Sequence, residues 1–342
     1  YKHYAVMIQG HGDDLYKYNK VEINFSTNIF NHFNHSALFA YLAERLPRIT
    51  SYPEPEPLTL ERALAKRLGV EPENVIATNG ATEAIYLIAQ CFKGGDAHIV
   101  QPTFAEYADA CRLHGCNVKT IASLGKDDGF KEGDTVWLCN PNNPTGKVTA
   151  NEEVISVISA NPETVFIIDQ SYSSYTTHKV LSAGEAVSLK NVLILNSMTK
   201  DFGIPGLRLG YVTGSRKLID CLCSKRMPWS VNQIAIDAGL YLVDHSDDYR
   251  VDAAGLSLER ERVAALISAI GIKTYPSDSN MLLCQLPRLS AAELKAHLVD
   301  EYGILIRDAS NFEGLTERHF RIAVQTVGED DKLIKALKKW ME

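Results

Sequence analysis

The sequence predicts an α/β protein with one large and one smaller domain. Short apolar runs at 75–77, 97–101, 136–139, 165–169 and 192–195 read as buried strands, most of them ending in turns rich in Gly, Pro or Asn. From residue 273 onward, after a long helical stretch at about 248–270, strand and helix patterns alternate again. The chain has 342 residues, more than an ordinary single domain holds.

Residues 1–57 are irregular apart from a helix at 36–46. They include Gly10-His11-Gly12-Asp13-Asp14, which reads as a turn because its adjacent carboxylates have no metal-ligand partner at helical spacing. Tyr52-Pro53-Glu54-Pro55-Glu56-Pro57 is neither helix nor central strand, since its prolines remove backbone donors. A helix at 58–68 follows, with Leu60, Leu64 and Leu68 on one face. The strand at 75–77 runs into Thr78-Asn79-Gly80-Ala81-Thr82-Glu83, which opens a helix reaching residue 92. A Gly-containing turn entering a helix aims N–H groups and a positive dipole end at an anion, although a plain cap at Thr78 or Asn79 has the same signature.

After the strand at 97–101, Phe104 is either a core side chain or a platform for a flat ring. The strand at 136–139 ends in Asn140-Pro141-Asn142-Asn143-Pro144-Thr145-Gly146, a tight loop. The strand at 165–169 ends on Asp169, with Tyr172 three residues beyond. A buried carboxylate needs a partner, and a cationic pyridine nitrogen or a helix N-terminus would serve. The run at 192–195 leads into Asn196-Ser197-Met198-Thr199-Lys200, with Arg208 further on. A lysine just past a strand end sits where open α/β sheets place ligands, and one with a lowered pKa can form a Schiff base with an aldehyde. Ser197, Thr199 and Arg208 surround it with groups suited to phosphate.

Helices are expected at 216–225, 230–244 and 248–270, with Glu259-Arg260-Glu261-Arg262 as a solvated face. Strands at 281–286, 303–307 and 320–324 and helices at 291–300 and 329–340 complete the chain. Arg307 and Arg321 each offer two parallel donors to a carboxylate or phosphate, or serve as surface ion-pair partners.

The net charge of −7 argues against a general nucleic-acid surface, so any phosphate site must be a local cluster. Seven cysteines without framework spacing fit reduced thiols in the cytoplasm, and Cys221-x-Cys223 reads as helix rather than zinc ligands. No apolar run approaches the ~18 residues of a membrane span, and nothing is expected to act as a signal peptide.

Together, Tyr52-Pro53-x-Pro55, the Asn140–Gly146 loop, Asp169-x-x-Tyr172 and Ser197-x-x-Lys200-x7-Arg208 resemble, in order, the fold-type I pyridoxal-phosphate enzymes of the aspartate aminotransferase superfamily. The resemblance covers nearly the whole chain from about Gly10. It implies a PLP-dependent transferase fold, with a mostly parallel sheet sandwiched by helices and a smaller α/β domain built from both termini. The implied division is an N-terminal arm and part of the small domain at 1–45, the cofactor domain at 46–250 and the small domain at 251–342. Pyridoxal 5'-phosphate is then bound through Lys200, with Asp169 on the ring nitrogen, Tyr172 and Asn143 on the ring oxygen and Phe104 stacked on the ring. Gly80, Ala81, Thr82, Ser197, Thr199 and Arg208 form the phosphate cup, and Tyr52 reaches the other subunit's site in a homodimer. Lys200, Asp169 and Tyr172 are the implied catalytic residues.

The Tyr-Pro-x-Pro segment and the short length resemble the histidinol-phosphate aminotransferase branch. The early Gly-His-Gly, Ile204-Pro205-Gly206-Leu207-Arg208, and Arg307 fourteen residues before Arg321 lean toward its decarboxylating relatives, which act on L-threonine O-3-phosphate in cobalamin synthesis. The implied reaction gives (R)-1-amino-2-propanol O-2-phosphate, with His11, Asn28, Asn143, Arg307 and Arg321 around a phosphorylated amino acid. Asp13 and Phe30-Asn31-His32 depart from that pattern and put the substrate in question. The alternatives are transamination of histidinol phosphate or a related amino acid and, more distantly, the sensor domain of a transcription regulator. Such regulators carry a basic DNA-binding domain, which this acidic chain does not display.

Overall fold

The computed structural model describes residues 14–125 and 129–342. His11 and Asp13 therefore lie outside the described residues. In chain order the strands are β1 (Ile23–Asn24), β2 (Val75–Thr78), β3 (Asp96–Val100), β4 (Asn117–Ile121), β5 (Thr135–Cys139), β6 (Val165–Asp169), β7 (Val192–Ser197) and β8 (Gly210–Gly214), then β9 (Lys273–Thr274), β10 (Met281–Gln285), β11 (Ile304–Leu305), β12 (Arg307–Asp308) and β13 (His319–Ala323). The helices are α1 (Ser36–Arg45), α2 (Leu58–Leu68), α3 (Gly80–Cys91), α4 (Glu106–Leu113), α5 (Asn151–Ala160), α6 (Ala183–Leu189), α7 (Met198–Phe202), α8 (Arg216–Cys223), α9 (Gln233–Asp244), α10 (Ala253–Ala269), α11 (Ala291–Tyr302) and α12 (Val327–Met341).

The large sheet has the order β2-β8-β7-β6-β5-β3-β4. All its pairings are parallel except those of β8, which runs against both neighbours. Strand alternation explains why the central strands are apolar throughout. Trp137, Ile167, Leu193 and Leu195 pack on the side of α3, α4 and α8, whereas Val136, Leu138, Phe166, Ile168 and Ile194 pack on the side of α5 and α6. Both faces are covered, so neither can be polar. The edge strand β4 is the reverse case: Asn117, Lys119 and Thr120 are exposed, and no apolar run marks it in the sequence.

The second sheet, β12-β13-β10-β9, is antiparallel. Beside it, β1 from the N-terminal segment pairs in parallel with β11, bringing residues 23–24 to the C-terminal part of the chain. The single strand expected at 303–307 is in fact two, since the chain leaves β1 after Leu305 and joins β13 at Arg307. The solvated face expected at 259–262 also needs correction. Arg260 is buried and donates to the Ser279 carbonyl oxygen at 3.0 Å, because this part of α10 packs under the second sheet. Among the described residues no helix is long and apolar enough to cross a membrane.

Candidate active site

The parallel strands β5, β6 and β7 end side by side, and their C-terminal ends deliver Cys139, Asp169 and Ser197 to one cavity of about 230 Å3. This is where an open α/β sheet leaves a crevice, because the connecting loops diverge there. Lys200 enters from α7, whose short helix turns the chain back toward β8. Its Nζ donates to Asn28 Oδ1, and Asn28 Nδ2 in turn donates to the Tyr172 hydroxyl, so one amide bridges two of the expected catalytic residues. Burial pushes the Tyr172 hydroxyl well above its ordinary pKa, which keeps it protonated.

Asp169 is buried, and its carboxylate accepts from the Ser171 backbone N–H at 2.9 Å and from the Tyr107 hydroxyl at 2.7 Å. Burial and the adjacent Asp169 raise the Tyr107 pKa, so this hydroxyl stays a donor. Asp169 is not a helix N-cap, the plainer of its two sequence readings, because the helical turn that follows it, Ser173–Tyr175, has Tyr172 at its N-cap. Phe104 is half-buried, lines the cavity, and meets Tyr107 edge-on at 5.8 Å. A flat ring above Asp169 and beside Phe104 would find both its partners in place.

At the other end, Ala81 and Thr82 of α3, Ser197, Thr199 and Arg208 line the same cavity. Asn79 stands at the N-cap position of α3 without a side-chain cap, leaving the helix N-terminus for another anion. Gly80 has φ +77°, and a Cβ there would lie 2.6 Å from Arg208 Nη2. The absence of a side chain is what lets the guanidinium lie against the helix start. Thr199 Oγ1 and Ser26 Oγ are buried with no hydrogen-bond partner among the described residues, and both residues line the cavity. The orphaned Thr199 hydroxyl, a helix N-terminus and an arginine are a donor set that fits a phosphate.

Arg307 and Arg321 stand directly opposite each other on β12 and β13, and both are buried in the cavity wall. Arg321 donates to Asn143 Oδ1 at 2.6 Å and to the Ser26 carbonyl oxygen. Arg307 donates to Asn311 Oδ1 at 2.7 Å, and burial lowers its pKa. Neither is the surface ion-pair residue that the sequence also allowed. Tyr52, in contrast, is 86% exposed, rests against Trp229 with ring centroids 5.5 Å apart, and does not line the cavity of its own chain. Asp14, from the early Gly-His-Gly-Asp-Asp stretch, is engaged by Lys295 Nζ at 2.7 and 2.8 Å.

Three contributors escaped the sequence reading. Tyr107 lies in α4 with no spacing signal linking it to Asp169, 62 residues away. Ser26 acts through its backbone, which no motif records. The Tyr175 hydroxyl donates to the Lys200 carbonyl oxygen at 2.7 Å and accepts from the Phe30 N–H at 3.1 Å, tying the lysine's backbone to the segment that carries Asn28.

A family model for aminotransferases class I and II matches residues 20–339, and the chain belongs to this family of pyridoxal-phosphate-dependent enzymes. The crystal structure of the L-threonine-O-3-phosphate decarboxylase from Porphyromonas gingivalis superposes with a TM-score of 0.89 at 36% identity, covering 93% of this chain and 99% of that one. The threonine-phosphate decarboxylase of Salmonella typhimurium is 30% identical over 87% of this chain and 85% of its own length. The histidinol-phosphate aminotransferase of Pyrococcus furiosus is 31% identical over 87% and 84%. The α/β architecture is thus that of the PLP-dependent transferases, and the cofactor is pyridoxal 5'-phosphate.

Proposed function

We propose that the chain decarboxylates L-threonine O-3-phosphate and works as a homodimer. The observation that carries this reading is the pair Arg307 and Arg321, two buried guanidinium groups facing each other across β12 and β13 in the cavity that holds Lys200. A substrate with a carboxylate at one end and a phosphate at the other complements two such groups. The similarity to the Porphyromonas gingivalis enzyme supports the same substrate. The departures at Asp13 and at Phe30-Asn31-His32 remain the places where a different substrate would be read.

When bound, pyridoxal phosphate supplies an electron sink for the pair released at the substrate Cα. Lys200 would hold the cofactor and then move a proton at Cα, with Asn28 orienting its Nζ. Asp169, which accepts hydrogen bonds from Tyr107 and Ser171, would face the cofactor ring nitrogen and hold a proton there. Tyr172 and Asn143 would contact the ring oxygen, Phe104 would cover the ring face, and Gly80, Ala81, Thr82, Ser197, Thr199 and Arg208 would hold the phosphate. Arg321 and Arg307 would divide the substrate's two anionic ends between them, with Asn28 beside the reacting carbon. Tyr52 with exposed Ile49, Met227 and Trp229 forms the face on which a second copy packs, placing Tyr52 at the partner's cofactor phosphate. We assign residues 1–45 to the arm and small domain, 46–250 to the cofactor domain and 251–342 to the rest of the small domain.

The test is a direct comparison of two reactions on the purified, cofactor-loaded protein. CO2 and aminopropanol phosphate should form from L-threonine O-3-phosphate. Absence of CO2, with turnover of histidinol phosphate and 2-oxoglutarate instead, would make the chain an aminotransferase.

A further inference from the structure

A second cavity, of about 550 Å3, lies on the opposite face of the large sheet. Its wall includes Ile194 and Asn196 of β7, whereas Ser197 lines the cofactor cavity and Leu195 packs on that side. Strand alternation thus sends adjacent residues of one strand to two chambers. The same division falls at the reactive lysine: Lys200 lines the first cavity and Asp201 the second.

Three features of this second chamber point to a ligand. Asp201 brings a carboxylate into it, held by a hydrogen bond from Ser174 Oγ, and burial pushes its pKa up to about 6. Arg67 lines the same chamber and donates to Ser246 Oγ, but forms no ion pair with Asp201. The Arg67 charge lowers the Asp201 pKa against the effect of burial, but the two groups make no direct contact. Thr213, 1% exposed and also in the wall, has an Oγ1 without a hydrogen-bond partner among the described residues. The other arginine of the lining, Arg250, is paired with Asp247 at 3.1 Å.

We propose that this chamber binds a small zwitterionic amino acid, with its ammonium on Asp201 and its carboxylate on Arg67. A ligand bearing both charges at once bridges the gap that the two side chains leave. A simple anion would meet Asp201, and a simple cation would meet Arg67, so neither fits as well. The occupant would abut the support of the reactive lysine. Asp201 follows Lys200 in the chain, Ser174 holds Asp201, and Tyr175 holds the Lys200 carbonyl oxygen.

The probe is N,N-dimethylglycine, a tertiary amine that keeps both charges but cannot condense with the cofactor aldehyde. Calorimetric titration into the cofactor-loaded full chain should give one saturable site per chain. Arg67 is exposed at the mouth, so Arg67→Met leaves the core intact and should weaken binding tenfold or more. Asp201→Asn should do the same, whereas Arg321→Lys, in the other cavity, should leave probe affinity unchanged. No saturable binding, or binding that Arg67→Met does not weaken, overturns the proposal. Loss of binding in Arg321→Lys overturns it too, by placing the probe in the cofactor site.

Discussion

Replacing Tyr107 by Phe removes one oxygen and leaves the ring stacked on Trp137, with centroids 5.6 Å apart and planes 29° apart. The lost group is one of two donors to Asp169, the 2.7 Å hydroxyl, while the 2.9 Å Ser171 N–H remains. A hydrogen bond to a charged acceptor contributes about 1.5–3 kcal/mol. With one donor gone, the Asp169 carboxylate becomes more basic, and the proton it should hold on the cofactor ring shifts toward its own oxygen. The expected result is a kcat lower by roughly ten- to a hundredfold, the kinetic equivalent of that energy. The bound cofactor's absorbance should also titrate at a different pH from that of the parent protein. Steady-state kinetics and a spectral pH titration measure the two effects on the same samples. A kcat within about twofold of the parent with an unchanged titration would refute the assignment of Tyr107 to Asp169.

Gly80→Ala should push Arg208 away from the start of α3, since the new Cβ would sit 2.6 Å from Nη2 on a backbone at φ +77°. Losing one charge-assisted hydrogen bond predicts a cofactor dissociation constant raised about tenfold, read by fluorescence titration of the apoprotein. Arg321→Lys keeps the charge but gives up the fork that reaches both Asn143 and Ser26, and KM for a carboxylate substrate should rise about tenfold or more. Asp330 is buried beside Glu259, and burial raises its pKa from the ordinary 3.8 to about 8. Between those values the unfolded chain has released the proton that the folded chain retains, so stability is full below the lower value and falls as pH rises toward the upper. Asp330→Asn should flatten this decline, gaining stability relative to the parent between pH 5 and pH 8 in denaturant melts. A parallel slope in both proteins would show that Asp330 is not the group responsible.

The strand-end chemistry was legible because it is local. The Asn140–Gly146 loop, Asp169 with Tyr172, and Ser197 through Arg208 each lie within a few residues of the strand that positions them. An apolar run followed by a loop of fixed composition states both the strand and what stands at its end, so the α/β class and the cofactor chemistry could be read directly. Tertiary structure alone decided which distant groups meet there. Asn28 reaches Lys200 across 172 positions and Arg321 reaches Asn143 across 178, and no periodicity carries such information. Register did the same for the arginines: fourteen residues of separation became direct opposition only once β12 and β13 paired antiparallel. Arg260 reversed its expected fate because α10 is covered by a sheet that its own charge pattern does not announce. Local pattern records what a segment prefers, whereas burial and pairing depend on what the rest of the chain lays against it.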